Sequence, residues 1–258
     1  MERTEKIEGL IREKKKLSLR ELVVIFNVSE SSIRRDLILL ENKGVLRRTH
    51  GGAELCKSVM PITHELFQLP IEIQNHEAKQ AIGRLAAAEV GDNDFIGIGS
   101  GTSCLEFARC LTEKKNLTVL TTNIFVATEL SAFENIQVIC TGGMITRKNN
   151  CANTVGEITL SQLVHYNTRK VFLSVLGADF DMGYSDINFN LSAIWQEMLH
   201  NSEHSYLLAE GYKFGKKGYV TIGGLNCVDE VITTSSISSS YVEYFNSHGI
   251  TVHIAAQE

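Results

Sequence analysis

Proline is scarce in this sequence: the 258 residues contain only Pro61 and Pro70, which lie close together. Proline is poorly tolerated in helix interiors and central strands, and the stretch around these two residues shows no clear periodicity. We therefore predict a linker over residues 57–75. It separates an N-terminal domain of residues 1–56 from a longer domain of residues 76–258.

Long apolar segments and closely spaced cysteine pairs are also missing. No apolar run approaches the roughly 18 residues that a membrane span requires, and the charged start lacks the apolar core of a signal peptide. We expect no membrane partner and a cytoplasmic location. The six cysteines form no Cys-x-x-Cys pair, so we expect reduced thiols, no metal site and no cofactor.

Acidic residues outnumber basic ones, with 30 Asp and Glu against 25 Lys and Arg, but the excess is unevenly distributed. Residues 1–56 contain 12 Lys and Arg against 9 Asp and Glu, a net charge of +3, which leaves −8 for residues 57–258. Basic segments favour binding to the phosphates of nucleic acids. Nucleic acid is therefore expected to bind the first domain, because the acidic remainder is a poor surface for it.

Two consecutive helices are predicted within the first domain. Ser18 and Glu21 form the S-x-x-E pattern of a capping box, and Ser29 can cap the helix that follows. Only a tight turn separates the two, so the pattern predicts a helix-turn-helix. The apolar residues of the second helix recur at i, i+4 and i+7 and should form one buried stripe: Ile33, Leu37 and Leu40.

Side chains that suit a DNA groove fall off this stripe. A helix in a major groove contacts bases mainly from its N-terminal residues, where hydroxyl groups and arginines reach base edges or phosphates. A short basic ribbon follows, and its glycines, Gly51 and Gly52, are expected to adopt the positive φ values of a wing tip. The alternative is a helical hairpin whose arginines simply coat the surface. The candidate DNA-binding residues are Ser31, Ser32, Arg34, Arg35, Arg47, Arg48, His50 and Gly51.

In the second domain, short runs rich in β-branched residues alternate with helical patterns. Strands that alternate with helices predict a mostly parallel sheet covered on both faces, which is an α/β fold. Ligands bind such sheets beyond the carboxyl ends of the strands. The runs are FIGIGSGTS, LTVLTTN, IQVICTGG, KVFLSVLGAD, SYLLAEG and EVITTSS.

Small and polar residues recur at the predicted strand ends. The segment from Gly99 to Ser103 lies between a strand and a helix, where glycines, hydroxyls and free helical N–H groups make a phosphate or carboxylate site. A simple chain reversal is the alternative. Asn123 follows the second strand, Gly142 and Gly143 follow the third, Gly177 to Asp179 are expected to end the fourth, and Lys213 follows the fifth.

Two sets of motifs are similar to one protein family. SIRRDL, LENKGVL and RTHGGA resemble the N-terminal signature of the DeoR family of bacterial winged-helix transcriptional regulators. GSGTS, TTN, TGG, LGAD and KFG resemble the effector domain of that family in order and spacing. The resemblance implies a domain with a fold like that of ribose-5-phosphate isomerase, which responds to phosphorylated sugars. It also implies an effector pocket lined by Ser100, Gly101, Thr102, Ser103, Asn123, Gly142, Gly143, Asp179 and Lys213.

Three positions depart from the family pattern. Gly99 stands where the family usually has Asp, Trp195 or Gln196 stands where it commonly has Lys, and Glu210 stands where it usually has Asp. These differences alter charge and hydrogen bonding in the pocket. They bear on which ligand binds and on how strongly it acts, more than on membership in the family.

The leading hypothesis is a DNA-binding transcriptional regulator, not an enzyme, that represses a carbohydrate-metabolism operon and is relieved or modulated by a phosphorylated sugar. Its partners would be double-stranded operator DNA and that sugar. A homo-oligomer, either a dimer or a tetramer, is expected to present paired DNA-reading helices to two half-sites.

The alternative is a sugar-phosphate isomerase with an accessory DNA-binding domain. Aldose–ketose isomerisation needs a carboxylate base and a group that stabilises an enediolate. The sequence offers Asp179, Glu157 and Lys213 for these roles.

Overall fold

The computed structural model describes residues 3–14, 16–42, 46–49, 51–55, 74–148 and 150–256. The chain divides into two units, residues 1–68 and 69–258. His50, both prolines and most of the predicted linker lie outside the described residues.

The first unit consists of helices followed by a small antiparallel sheet. Its elements are α1 (Arg3–Lys14), β1 (Lys16–Ser18), α2 (Leu19–Phe26), α3 (Glu30–Asn42), β2 (Leu46–Thr49) and β3 (Gly52–Leu55). The strands pair in the order β1-β3-β2. This is the winged helix-turn-helix arrangement that the sequence predicts.

Local side-chain contacts set the boundaries of α2. The Ser18 hydroxyl accepts the N–H of Glu21 at 3.2 Å, and the Glu21 carboxylate accepts the N–H of Ser18 at 2.7 Å, so the predicted capping box is confirmed. Asn27 ends the helix in the left-handed conformation, with φ of 49°. The predicted stripe of α3 is buried and joins one apolar core with α1, α2 and the sheet: Ile7, Ile11, Leu17, Leu22, Ile33, Leu37, Leu40 and Leu46.

Gly52 is required by close packing and not by an unusual backbone angle. The positive φ expected at this residue is absent, so that expectation is wrong. A β-carbon at Gly52 would lie 2.2 Å from the carbonyl oxygen of Leu17 and 2.7 Å from the Cα of Ser18. The strands β3 and β1 therefore approach each other more closely here than any residue with a side chain permits.

The second unit is an α/β domain, as predicted. Its elements are α4 (His76–Ala88), β4 (Phe95–Ile98), α5 (Thr102–Arg109), β5 (Leu117–Thr121), α6 (Ile124–Leu130), β6 (Ile136–Cys140), β7 (Met144–Lys148), β8 (Cys151–Val155), α7 (Glu157–Leu163), β9 (Thr168–Leu173), β10 (Gly177–Asp179), β11 (Gly183–Asp186), α8 (Phe189–His200), β12 (Ser202–Leu208), β13 (Val220–Gly223), β14 (Glu230–Thr234), α9 (Ser239–Ser247) and β15 (Thr251–Ala255).

Seven of these strands form one parallel sheet with the order β15-β14-β12-β9-β4-β5-β6. Successive residues of a strand point to opposite faces. Phe172 stacks on Tyr206 with ring centroids 4.7 Å apart on the face that α4, α5 and α6 cover. Val171 and Leu173 point to the other face, which α8 and α9 cover. Burial on both faces explains why the strands read as nearly continuous apolar runs.

The order of the strands reverses between β4 and β9. From β4 the chain continues outward through β5 to β6, whereas from β9 it continues outward in the other direction through β12 and β14 to β15. Connections that diverge in this way leave a crevice at the carboxyl ends of the two central strands, where open α/β sheets bind ligands.

The run KVFLSVLGAD is not one strand, so the prediction that Gly177 to Asp179 end the fourth strand is wrong. Strand β9 stops at Leu173, and Gly177–Asp179 is the separate strand β10 of an antiparallel sheet with the order β10-β11-β13. A β-carbon at Gly177 would lie 2.3 Å from the carbonyl oxygen of Lys216. Close packing against that neighbouring segment therefore needs glycine, and the chain turns before it.

We predict that Gly52→Ala destabilises the first unit by about 1–3 kcal/mol, the usual cost of forcing an atom into packed structure. The obstructing atoms belong to the backbone and cannot rotate away. Native-state hydrogen exchange of the Leu19 amide, which donates to the Gly51 carbonyl, measures the effect.

Gly51→Ala is the matched control for this prediction, because a β-carbon at Gly51 meets no atom within 4 Å. It should change the same free energy by less than about 0.5 kcal/mol. Equal effects of the two substitutions would contradict the steric explanation.

Candidate DNA interface and anion-binding cavity

Hydroxyl groups cluster at the exposed start of α3. The Ser29 carbonyl accepts the N–H groups of Ser32 and Ile33 at 3.0 and 3.2 Å, which begins the helix. The Ser29 hydroxyl lies 2.9 Å from that of Ser31 and 3.1 Å from that of Ser32. These side chains therefore form one small polar group at the N-terminal end of the helix.

Two arginines project from the first turns of α3, away from its buried stripe. Arg34 and Arg35 are both exposed. The guanidinium of Arg34 lies 3.6 Å from the carboxylate of Glu30, one turn earlier. Arg35 has no ion pair with another described residue, so its charge is available to a partner.

The wing arginines differ from Arg35 because carboxylates of the same unit hold them. Arg47 pairs with Glu54 at 2.6 Å across the hairpin, and Arg48 pairs with Glu41 of α3 at 2.5 Å. Gly51 is exposed directly before β3, at the tip of the wing. A phosphate would have to compete with Glu54 and Glu41 for these two arginines.

A cavity of about 530 Å³ opens at the carboxyl ends of β4 and β9, where the strand order reverses. Ser100 and Gly101 reach it from the end of β4, and Ser174 and Val175 reach it from the end of β9. Its other polar lining residues are Gln74, Lys79, Thr102, Thr146, Asn150, Asn153, Asp186, Asn188, Tyr212 and Lys213.

Of the residues that the sequence assigns to an effector pocket, the structure places Ser100, Gly101, Thr102 and Lys213 in this cavity. Gly101 has φ of 113°, a conformation that favours glycine, and α5 begins directly after it without a side-chain cap. The free N–H groups of the first turn of α5 therefore start at the cavity. They carry partial positive charge, which favours an anion.

The remaining predicted residues do not line the cavity. Ser103 is buried behind it, with its hydroxyl 3.4 Å from Glu210. Asn123 caps α6 by accepting the N–H of Phe125 at 3.1 Å. The exposed Gly142 donates its N–H to the Gln162 side chain, Gly143 packs beside Thr159 with φ of 140°, and Asp179 pairs with Lys217 at 3.1 Å.

The charged group beside the cavity includes a lysine that the sequence reasoning missed. Lys79 of α4 lies 2.8 Å from the Glu210 carboxylate, and Lys213 lies 3.2 Å from it. Lys213 also donates to the Ser174 hydroxyl at 3.2 Å. The signal was present, because Lys79 precedes Ile82 by three residues and so falls on the buried face of its helix.

Glu210 is almost completely buried, with 2% of its side chain exposed. Burial raises the pKa of this carboxyl group, but the charges of Lys213 and Lys79 outweigh burial, and the net shift is downward. The carboxylate is therefore ionised at neutral pH. Lys79 and Lys213 share this one carboxylate.

The three departures from the family pattern lie in different surroundings. A β-carbon at Gly99 would lie 2.7 Å from Cδ2 of Leu173, so a larger residue needs that side chain to move. Trp195 is buried against Tyr184, and the Gln196 amide donates to the Ile222 carbonyl at 2.6 Å. Neither Trp195 nor Gln196 lines the cavity.

The three residues proposed for an isomerase do not converge. Lys213 lines the cavity, whereas Asp179 lies in the separate sheet and Glu157 is exposed at the start of α7.

Among the described residues, no helix is long and apolar enough to cross a membrane.

Comparison with solved structures gives a weak similarity. Ribose 5 phosphate isomerase A from Neisseria gonorrhoeae matches 55% of this chain and 54% of its own, at 16% identity and a TM-score of 0.40. The fold described above rests on the strand order of the sheet and not on this similarity.

Curated relatives match nearly the whole chain. YulB of Bacillus subtilis (strain 168), called an uncharacterized HTH-type transcriptional regulator, is 33% identical over 97% of this chain and 95% of its own. The HTH-type transcriptional regulator IolR of the same strain is 29% identical, with 98% of each chain covered. The glycerol-3-phosphate regulon repressor of Escherichia coli (strain K12) is 28% identical over 98% of this chain and 100% of its own.

Two family descriptions match successive parts of the sequence. The DeoR-like helix-turn-helix domain matches residues 3–59, and the DeoR C terminal sensor domain matches residues 74–235, which is more than half of the chain. Because the sensor-domain description covers more than half of the chain and a full-length relative is 33% identical, this chain belongs to the DeoR family of transcriptional regulators.

Proposed function

We propose that the protein is a DNA-binding repressor of a carbohydrate-metabolism operon, and that a phosphorylated sugar bound in the cavity modulates its affinity for the operator. One observation carries this proposal: a winged helix-turn-helix with exposed arginines is joined in one chain to a cavity that presents Lys213 and the start of α5 at the switch point of an α/β sheet. The E. coli relative named above is a repressor of a glycerol-3-phosphate regulon.

The first unit would read DNA with the N-terminal part of α3 in a major groove. Ser31, Ser32, Arg34 and Arg35 would contact bases or nearby phosphates. The wing would contact the backbone through Arg47, Arg48, His50 and Gly51. Because dimeric proteins of this class meet two half-sites, we propose that the active form is a homo-oligomer.

The cavity suits a phosphorylated sugar in size and in chemistry. Its volume of about 530 Å³ lies within the usual range of small-molecule sites. The phosphate would bind between Lys213 and the start of α5, where Ser100, Gly101 and Thr102 offer hydroxyl and N–H donors. The sugar hydroxyls would contact polar lining residues such as Asn153 and Asp186.

We assign two of the other predicted effector residues, Ser103 and Asn123, to support of this lining. Ser103 contacts Glu210, and Asn123 bridges to Asn153 of the lining, whereas Gly142, Gly143 and Asp179 contact residues that do not line the cavity. Neither of the carboxylates that the sequence offered as the base of an isomerase, Asp179 and Glu157, lines the cavity. Turnover of ribose 5-phosphate by the purified protein would contradict the proposal of a regulator without this activity.

We predict that Arg35→Ala weakens binding to the operator by about 1–3 kcal/mol if this arginine reads a base, and relaxes specificity at one position. Fluorescence anisotropy with DNA from upstream of the protein's own and neighbouring genes, beside a scrambled duplex at several salt concentrations, measures the change. An Arg35 that contacts phosphate would instead lower the salt slope by about one unit and weaken all duplexes alike.

Arg84→Ala is the control for Arg35→Ala, because Arg84 is an exposed arginine of α4 in the other unit. It removes the same charge and should leave operator affinity unchanged. Unchanged operator affinity in both Arg35→Ala and Arg34→Ala would contradict the assignment of α3 as the recognition helix.

We predict that Thr102→Val spares operator binding without effector but raises the sugar-phosphate concentration needed for the response roughly tenfold or more. A lost hydrogen bond to a charged group costs about 1.5–3 kcal/mol. Titration of the operator complex with a panel of sugar phosphates measures this shift. Thr128→Val, at an exposed position of α6, is the control, and an unchanged response in Thr102→Val would make the loop structural.

A further inference from the structure

A chain of polar contacts runs along the cavity from Lys213 to Gln74, the residue before the N-cap of α4, and its members Lys79 and Gln74 also line the cavity. Lys213 lines the cavity and lies 3.2 Å from the Glu210 carboxylate. The other oxygen of that carboxylate lies 2.8 Å from the ammonium of Lys79. The same ammonium donates a short hydrogen bond to the backbone carbonyl of Gln74.

Glu210 is the centre of this chain because two cations share its charge. A buried carboxylate needs compensation by opposite charge or by hydrogen bonds. If an anion draws Lys213 away, the carboxylate depends on Lys79 and on the more distant Ser103 hydroxyl. Lys79, which already lies 2.8 Å from the carboxylate, would then direct an N–H group toward it, and its bond to Gln74 would weaken.

Among the described residues, no side chain caps the start of α4. Asn75 precedes the helix in the left-handed conformation, with φ of 54°, and its side chain caps no N–H group. A helix start without a side-chain cap leaves backbone donors unsatisfied by the protein. His76 gives the turn one further contact, with Nε2 3.6 Å from a Glu106 oxygen.

The start of α4 lies next to the covalent connection between the two units. Residues 56–73 join the winged helix-turn-helix of the first unit to the second unit, and Gln74 follows them directly. A change in how firmly Gln74 is held therefore acts on the covalent connection to the DNA-binding unit.

We propose that Lys213, Glu210, Lys79 and the Gln74 carbonyl form a relay by which an anion in the cavity loosens the first turn of α4. The relay rests on the proposed function, because the anion is the phosphate of the effector. Binding shifts the turn only to the extent that the loosened form binds the anion better, as linkage requires. Glu210 acts as a positioning residue outside the lining, whereas Lys79 also lines the cavity.

Hydrogen exchange of residues 74–82 in the full chain tests the relay directly. The Lys79 amide donates to the Asn75 carbonyl at 3.1 Å and reports on the first turn. Saturating inorganic phosphate, compared with potassium chloride at equal ionic strength, should accelerate its exchange about fivefold or more, the lower end of ordinary coupling. This comparison uses the unaltered protein and requires no variant to fold.

Glu210→Gln should separate binding from transmission. It removes a negative charge beside the anion, so isothermal titration calorimetry should show phosphate bound at least as tightly, while the exchange response disappears. Asp94→Asn is the matched control, since it removes a buried carboxylate that also pairs with two cations, Arg169 and Lys170, but that neither lines the cavity nor belongs to the relay. It should keep the full exchange response.

Phosphate that binds without accelerating exchange, or a Glu210→Gln variant that responds like the unaltered protein, would overturn the relay alone. Operator binding and its modulation by sugar phosphates would be unaffected by that result. Phosphate that does not bind at all would overturn the anion site, and with it both the relay and the effector half of the proposed function.

Discussion

The sensor unit depends on one constraint of parallel sheets, which is that every strand must be joined to the next by a crossover. Here the crossovers run outward in both directions from β4 and β9, and helices cover both faces. The faces are apolar, so charged side chains are excluded from them. Lys79, Glu210 and Lys213 consequently meet at the carboxyl edge, where the diverging connections leave space for a ligand.

In the winged-helix unit, some arginines are paired with carboxylates of the protein and others are not. Arg47 is paired with Glu54 across the hairpin, and Arg48 is paired with Glu41 of α3. These ion pairs are exposed and contribute little to stability, so DNA phosphates can replace the carboxylates at small cost. Arg35 has no such pair among the described residues, so its contact with DNA would not have to replace an ion pair within the protein.

Much of the first unit could be predicted because its signals are local. The Ser18 and Glu21 capping box and the buried stripe of α3 depend on residues within one or two turns, and both are confirmed. Gly52 was explained wrongly, since its partner Leu17 is distant in sequence and close only through strand pairing. A glycine that permits close approach cannot be distinguished in sequence from one that permits a positive φ.

The sensor unit shows the same division between local and distant causes. The apolar runs predicted the strands of the parallel sheet, and the loop after β4 placed Ser100, Gly101 and Thr102 beside the cavity. Gly177 to Asp179 were misplaced because an apolar run does not show where a chain leaves one sheet for another. Lys79 was missed because its ion-pair partner, Glu210, is supplied by a loop more than a hundred residues later.

The relay also gives physical meaning to two departures from the family pattern. Replacing Glu210 by the family's usual Asp would withdraw the carboxylate by about 1.5 Å, the length of one carbon–carbon bond. With contacts of 2.8 and 3.2 Å to Lys79 and Lys213, the shorter side chain could not keep both without backbone movement. Gly99 removes the acid that the family usually has beside the anion loop, so repulsion of a phosphate there is weaker. Glu210 contacts both Lys79 and Lys213, and it is the residue through which an anion on Lys213 reaches Lys79.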